Sequence, residues 1–164
     1  MLSREENDLL TRVGPGTPAG EMLRRYWHPI AFINELKKRP LRRRLLGEDL
    51  VVFRDDRGRL GLLALRCSHR GTSLEFGHLE DGGLRCCYHG WLYDVEGKIL
   101  EMPGEPADST FWQRLRHPAY QVQELGGVIF AYLGPEPAPL LPRYDVLVRD
   151  DGGVREPSIA TFFR

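Results

Sequence analysis

Two short segments, Cys67-Ser68-His69-Arg70-Gly71-Thr72 and Cys86-Cys87-Tyr88-His89-Gly90-Trp91, limit what this chain can fold into more than any other feature. Each carries one thiol and one imidazole beside a turn-forming glycine, and each follows an apolar run of strand character. Sixteen residues separate His69 from Cys86. The first segment reads C-x-H and the second C-x-x-H. A structural zinc knuckle spaces its first ligands by about two to four residues, so that both reach one ion at tetrahedral angles. The single residue Ser68 makes convergence on one ion awkward, but suits two neighbouring metals, with the thiolate on one and the imidazole on the other. Each loop then bridges both metals. A zinc site and four unrelated core residues are the alternatives at this stage.

The 164 residues suit one domain, for which roughly 100 to 200 is usual. Lys+Arg and Asp+Glu both number 23, so no bulk charge favours nucleic acid or an anionic membrane, and neither is expected as a partner. The longest apolar stretch, glycines included, is the nine residues from Leu125 to Leu133. A membrane span needs about 20. The opening Met1-Leu2-Ser3-Arg4-Glu5-Glu6-Asn7-Asp8 is acidic and lacks the apolar region of a signal peptide, so the expected location is cytoplasmic and reducing. There the three cysteines, Cys67, Cys86 and Cys87, read as metal ligands or inert thiols, not as a disulfide framework.

Gly 18 and Pro 12 favour short strands and turns over long helices. Two helices are predicted at the start. Ser3 with Glu6 forms a capping-box pattern for a helix that stops at Gly14-Pro15. Thr17-Pro18 opens a second helix through about Trp27, ending before Pro29. Leu41 to Leu46, Leu50 to Arg54 and Leu60 to Leu65 then read as an antiparallel meander, separated by the turn residues Gly47-Glu48-Asp49 and Asp55-Asp56-Arg57-Gly58. Further strands are predicted at Leu84 to Cys86, Trp91 to Asp94, Lys98 to Leu100, Tyr120 to Glu124 and Val128 to Leu133, giving a small sandwich or barrel. Pro135-Glu136-Pro137-Ala138-Pro139-Leu140-Leu141-Pro142 lacks the amide donors of a central strand and should run extended at the domain edge. Beyond it, Ile159 to Phe163 is an apolar segment with no evident partner.

Two thiolates on one iron and two imidazoles on its neighbour is the Rieske arrangement of a 2Fe-2S cluster. The string Cys67-Ser-His-Arg-Gly-Thr-Ser-Leu through Cys86-Cys-Tyr-His-Gly-Trp, with Gly after the second His, is similar to the oxygenase branch of that group. Together with Glu5 to Pro18, Arg25-Tyr26-Trp27, Met102-Pro103-Gly104-Glu105-Pro106 and Ala131-Tyr132-Leu133-Gly134, it resembles the N-terminal part of a phthalate-dioxygenase-type aromatic ring-hydroxylating oxygenase. The resemblance implies a mainly β Rieske fold of antiparallel sheets with two N-terminal helices. It implies Cys67 and Cys86 as ligands of one iron and His69 and His89 as ligands of the other. It divides the chain into a helical segment packed on the sheet (1–40), the Rieske domain (41–134) and a Pro-rich extended tail (135–164).

By the same resemblance, electrons come from a flavin and iron-sulfur reductase that uses NADH or NADPH, and go to a mononuclear iron in a further domain or subunit. That iron is held by two histidines and a carboxylate, and no histidine follows Arg143 here. Three readings follow: the Rieske part of an oxygenase, a free-standing Rieske-type ferredoxin, and a zinc-stapled binding module. Respiratory Rieske proteins carry a disulfide between the loops and a serine after the second histidine, where this chain has Thr72 and Trp91. The expected potential is therefore at the low end of the Rieske range of roughly −150 to +300 mV.

Cys87 alternates away from Cys86 and reads as a buried structural thiol. His28, His78 and His117 have no metal-like partner at short spacing and read as surface or hydrogen-bonded histidines. Tyr88, Trp91 and Tyr93 suit the exclusion of water from the site better than an electron path. Lys37-Lys38-Arg39-Pro40-Leu41-Arg42-Arg43-Arg44 reads as a charged edge strand, with docking of an acidic redox partner as the other reading.

Overall fold

The computed structural model describes residues 1–150 other than 107. Helix α1 (Arg4–Thr11) begins with the expected reciprocal cap: the Glu6 amide donates to the Ser3 hydroxyl at 3.2 Å, and the Ser3 amide to the Glu6 carboxylate at 2.7 Å. Helix α2 (Pro18–Leu23) is capped by Thr17, whose hydroxyl accepts from the Gly20 amide. It is shorter than predicted. The chain turns over Arg24 to Tyr26 and enters strand β1 (His28–Phe32), because Trp27 is drawn into the core, where it is buried. Pro29, read from sequence as a helix stop, sits on an edge strand beside a register irregularity, the place in a sheet where a missing amide costs least.

Strands β2 (Leu41–Leu45), β3 (Glu48–Arg54) and β4 (Leu60–Ala64) form the predicted meander. The two-residue turn Leu46-Gly47 has positive φ at both positions, the geometry that lets a hairpin follow the strand twist. Strands β5 (His78–Glu80), β6 (Gly83–Arg85), β7 (Leu92–Tyr93) and β8 (Ile99–Glu101) make a second sheet in sequence order. Strand β5 is an addition to the predicted set: His78-Leu79-Glu80 has one apolar residue between two polar ones, too little to mark a strand from sequence. Strands β9 (Gln121–Leu125) and β10 (Val128–Tyr132) form a hairpin through Gly126-Gly127, and β1 joins it in the order β1-β10-β9.

The β2-β3-β4 sheet lies at the centre, and alternation along its strands builds both cores. Val51, Phe53, Leu63 and Leu65 point to one side, packing with Leu74, Leu84, Tyr93 and Ile99 from the β5–β8 side. Leu50, Val52 and Leu62 point to the other, against Ala31, Ile129, Ala131 and Leu133. Two-sided burial explains why Leu50-Val51-Val52-Phe53 is a continuous apolar run in an antiparallel sheet. The fold is mainly β, as the sequence implied.

The first 40 residues contribute β1 to the sheet itself as well as the two helices. The Pro-rich segment is not a free edge: the Trp27 indole donates to the Pro139 carbonyl at 2.8 Å, and Ala138, Leu141 and Leu147 cover Trp27, Phe130 and Tyr132. A short helix α3 (Asp145–Val148) follows. The apolar segment Ile159 to Phe163 lies outside the described residues.

Candidate metal centre

The two cysteine loops are closed in the same way. In the first, the Cys67 amide donates to the Thr72 carbonyl at 2.9 Å and the Gly71 amide to the Cys67 carbonyl at 2.8 Å. In the second, the Cys86 amide donates to the Trp91 carbonyl at 2.8 Å and the Gly90 amide to the Cys86 carbonyl at 3.1 Å. Each glycine stands four residues after its cysteine with left-handed backbone, φ 70° at Gly71 and 75° at Gly90. That conformation is cheap for glycine and costly for other residues. Arg85, at the base of the second loop, donates to the Gly90 carbonyl at 2.8 Å while pairing with Glu80, Asp81 and Glu101. The turn is thereby fastened to the edges of its own sheet.

Inside these turns the four residues singled out from sequence come together. Cys67 and Cys86 are 4% and 3% exposed, in one apolar cluster with Leu65, Leu74 and Tyr93, and their thiols lie within interaction range of each other. The half-buried imidazoles of His69 and His89 face each other farther out, ring centroids 4.5 Å apart. His69 Nδ1 is buried without a hydrogen-bond partner. A buried imidazole nitrogen is normally paired, so an orphaned one beside a second imidazole and two thiols fits a metal ligand. Among the described residues no three His, Cys, Asp or Glu side chains are grouped to hold a single ion. Two thiols on the inner side and two imidazoles on the outer side offer two pairs of donors, the number and kind that a Rieske cluster takes.

The electrostatics suit the donors. Burial raises the Cys86 thiol, against the opposing pull of amide hydrogen bonds from Tyr88 and His89, and metal binding is what would deprotonate it. Desolvation, helped by the neighbouring His69 and Arg70, holds His89 below the usual imidazole value. Neutral imidazole is the form that ligates. The Tyr93 hydroxyl lies 3.1 Å from Cys67 Sγ, and burial raises its pKa strongly, so it stays a protonated donor toward a thiolate.

The Trp91 indole is 8% exposed and stacks on the His69 ring, which agrees with water exclusion. Tyr88 covers the His89 ring but is itself exposed. Cys87 is exposed, contrary to the expectation of a buried thiol. Strand β6 ends at Arg85, so Cys87 belongs to the protruding turn and the alternation of a strand does not apply to it.

Of the other histidines, His28 Nε2 is 2.8 Å from the Leu23 carbonyl and His78 is exposed on β5. His117 is 2% exposed and sits directly behind the first loop, with Nδ1 2.7 Å from Ser68 Oγ and Nε2 2.8 Å from the Ala64 carbonyl. Its sequence distance from Ser68 left no local signal. Strand β2, with Arg42, Arg43 and Arg44, is an edge strand, and Arg42 and Arg44 pair with Asp49 while Arg43 pairs with Glu35.

Residues 26–124 match the family model described as Rieske [2Fe-2S] domain. The chain is similar to the alpha subunit of phenoxybenzoate dioxygenase from Ectopseudomonas oleovorans, 55% identical over 139 residues that make up 84% of this chain and 34% of that protein. It is also similar to the oxygenase subunit of phthalate 4,5-dioxygenase from Pseudomonas putida, 49% identical over 141 residues, 84% of this chain and 32% of that subunit. The chain thus spans about a third of the length of these relatives. Among solved structures, the reduced complex between oxygenase and ferredoxin in carbazole 1,9a-dioxygenase superposes with a TM-score of 0.63 at 36% identity, covering 71% of this chain and 30% of that one. With the family match reaching across both cysteine loops, this chain belongs to the Rieske [2Fe-2S] domain family, whose cofactor is a Rieske-type 2Fe-2S cluster.

Proposed function

We propose that this chain is the electron-transfer part of a ring-hydroxylating oxygenase, with Cys67 and Cys86 holding one iron and His69 and His89 the other. The observation that carries the reading is the two-and-two arrangement of donors with His69 Nδ1 left unpaired. When bound, the cluster supplies reversible one-electron transfer at irons already saturated by sulfide, thiolate and imidazole. The chain's residues do the rest. The closed turns at Gly71 and Gly90 hold the donors in place before metal arrives, Trp91 and the apolar cluster keep water from the thiols, and the half-buried imidazoles mark the side a partner reaches.

We take the electron donor to be an NAD(P)H-dependent flavin and iron-sulfur reductase, and the acceptor a mononuclear-iron oxygenase domain or subunit. The relatives named as dioxygenase subunits, and a structural relative in which an oxygenase is captured with a ferredoxin, support the oxygenase as partner. The helices and the strap of residues 135–148 over β10 go beyond the sheets and loops that a free-standing ferredoxin requires. The test is iron and sulfide content, visible absorbance and the EPR spectrum of dithionite-reduced protein. The expected result is two irons, two sulfides and a Rieske signal. Stoichiometric zinc in protein made with ample iron and sulfide would overturn the reading, as would Cys67→Ser leaving the iron spectrum unchanged.

A further inference from the structure

His117 belongs to none of the motifs, yet it joins three parts of the molecule. Its amide donates to the Gly97 carbonyl in the β7–β8 hairpin at 2.8 Å, and its ring reaches Ala64 at the end of β4 and Ser68 inside the first loop. The Ala64 carbonyl can only accept, so Nε2 carries the proton. Burial disfavours the imidazolium, which leaves Nδ1 to accept from the Ser68 hydroxyl. Ser68 is the one residue between Cys67 and His69. The same ring packs against Tyr93, centroids 4.6 Å apart, and the Tyr93 hydroxyl is the group at Cys67 Sγ. Two contacts of one buried side chain therefore fix both the loop that carries Cys67 and the donor that faces its sulfur.

We propose that His117 is a positioning residue that holds Cys67 Sγ beneath the Tyr93 hydroxyl and thereby sets the reduction potential of the centre. The inference rests on the cluster reading above. A hydrogen bond to a ligating sulfur favours the reduced, more negative cluster, so loosening it lowers the potential. His117→Leu removes both anchors. Ser68→Ala removes one and leaves the ring against Tyr93. His117→Gln can still accept from Ser68 and donate to Ala64.

The experiment is voltammetry and EPR on the reconstituted chain and these variants, each with its iron content measured. His117→Leu should lower the reduced-to-oxidised ratio at a fixed potential by up to about tenfold, a fall of up to about 59 mV for one electron. Ser68→Ala should shift it in the same direction and His117→Gln should restore the parent value. In a Tyr93→Phe background, His117→Leu should add nothing, because the bond it protects is already gone. Parent potentials in both His117→Leu and Ser68→Ala would overturn the proposal, as would a His117→Leu shift that persists undiminished with Tyr93→Phe. If His117→Leu takes up no cluster, an unchanged potential in Ser68→Ala overturns it alone. A parent chain without iron and sulfide defeats the cluster reading instead, so the two failures are distinguishable.

Discussion

The indole of Trp91 lies parallel to the imidazole of His69, with ring centroids 4.9 Å apart and planes 4° from parallel. The two residues come from different loops, so the stack ties the loops together and closes the apolar side of the centre. Trp91→Ala removes that lid and leaves a cavity, a change that typically costs about 3–5 kcal/mol. The expected outcome is a lower Tm and faster bleaching of cluster absorbance in air. Trp91→Phe, which keeps a flat ring over His69, should retain most of both.

Tyr93 makes a different prediction from the same neighbourhood. Tyr93→Phe deletes only the hydroxyl 3.1 Å from Cys67 Sγ and keeps the ring in the core. Stability should change by about 1 kcal/mol, the net worth of one hydrogen bond. The reduction potential should fall, because the lost donor stabilised the reduced form more than the oxidised one. Voltammetry of the variant with full iron content checks it, and an unchanged or raised potential would contradict the assigned role.

The two loop glycines should not respond alike to alanine. At Gly71 a Cβ meets nothing within 4 Å, so Gly71→Ala pays only for the left-handed backbone, about 1–2 kcal/mol. At Gly90 the same φ cost applies, and the Cβ would also stand 3.1 Å from Pro103 Cγ. Gly90→Ala should therefore lose more stability and more cluster than Gly71→Ala. Iron content and thermal unfolding of the pair measure the ranking.

Acid should loosen the metal-free chain through His117. Burial holds its folded pKa below the ordinary imidazole value, about 6.5 in the unfolded chain. A base with a depressed folded pKa contributes stability that is present above the unfolded value and is lost as pH falls below it, because the unfolded chain then binds the proton more readily. Urea unfolding of the metal-free protein should show stability falling as pH drops below about 6.5. The slope should shrink in His117→Gln. A slope unaffected by that substitution would place its origin elsewhere.

The site was more legible in the sequence than the fold around it. Cys67, His69, Cys86 and His89 announce themselves through local spacing, and local hydrogen bonds within each turn are what place them. Helix caps at Ser3 and Thr17 were legible for the same reason. What escaped was set by distant partners. Strand β1 exists because β10 supplies its hydrogen bonds from about a hundred residues away, and Pro29 hid it. His117 gains its position from Ala64, Ser68 and Gly97, none nearby in sequence. Cys87 is exposed because β6 ends at Arg85, and the alternation that would bury it stops where the turn begins.

These 164 residues by themselves should perform no ring oxygenation. Dioxygen activation at a mononuclear centre needs an iron held by two histidines and a carboxylate with open positions, and the chain has five histidines to build it from. His69 and His89 belong to the proposed cluster, and both ring nitrogens of the buried His117 are engaged in hydrogen bonds. That leaves His28 on β1 and His78 on β5, in sheets that cover opposite faces of the central β2-β3-β4 sheet. They cannot meet at one iron without unfolding the sandwich between them. Supplied with a reductase, NADH, ferrous iron and a panel of aromatic acids, the chain should show reduction of its cluster and no hydroxylated product. Product formed together with one bound iron beyond the cluster would show that a second site exists and defeat the prediction.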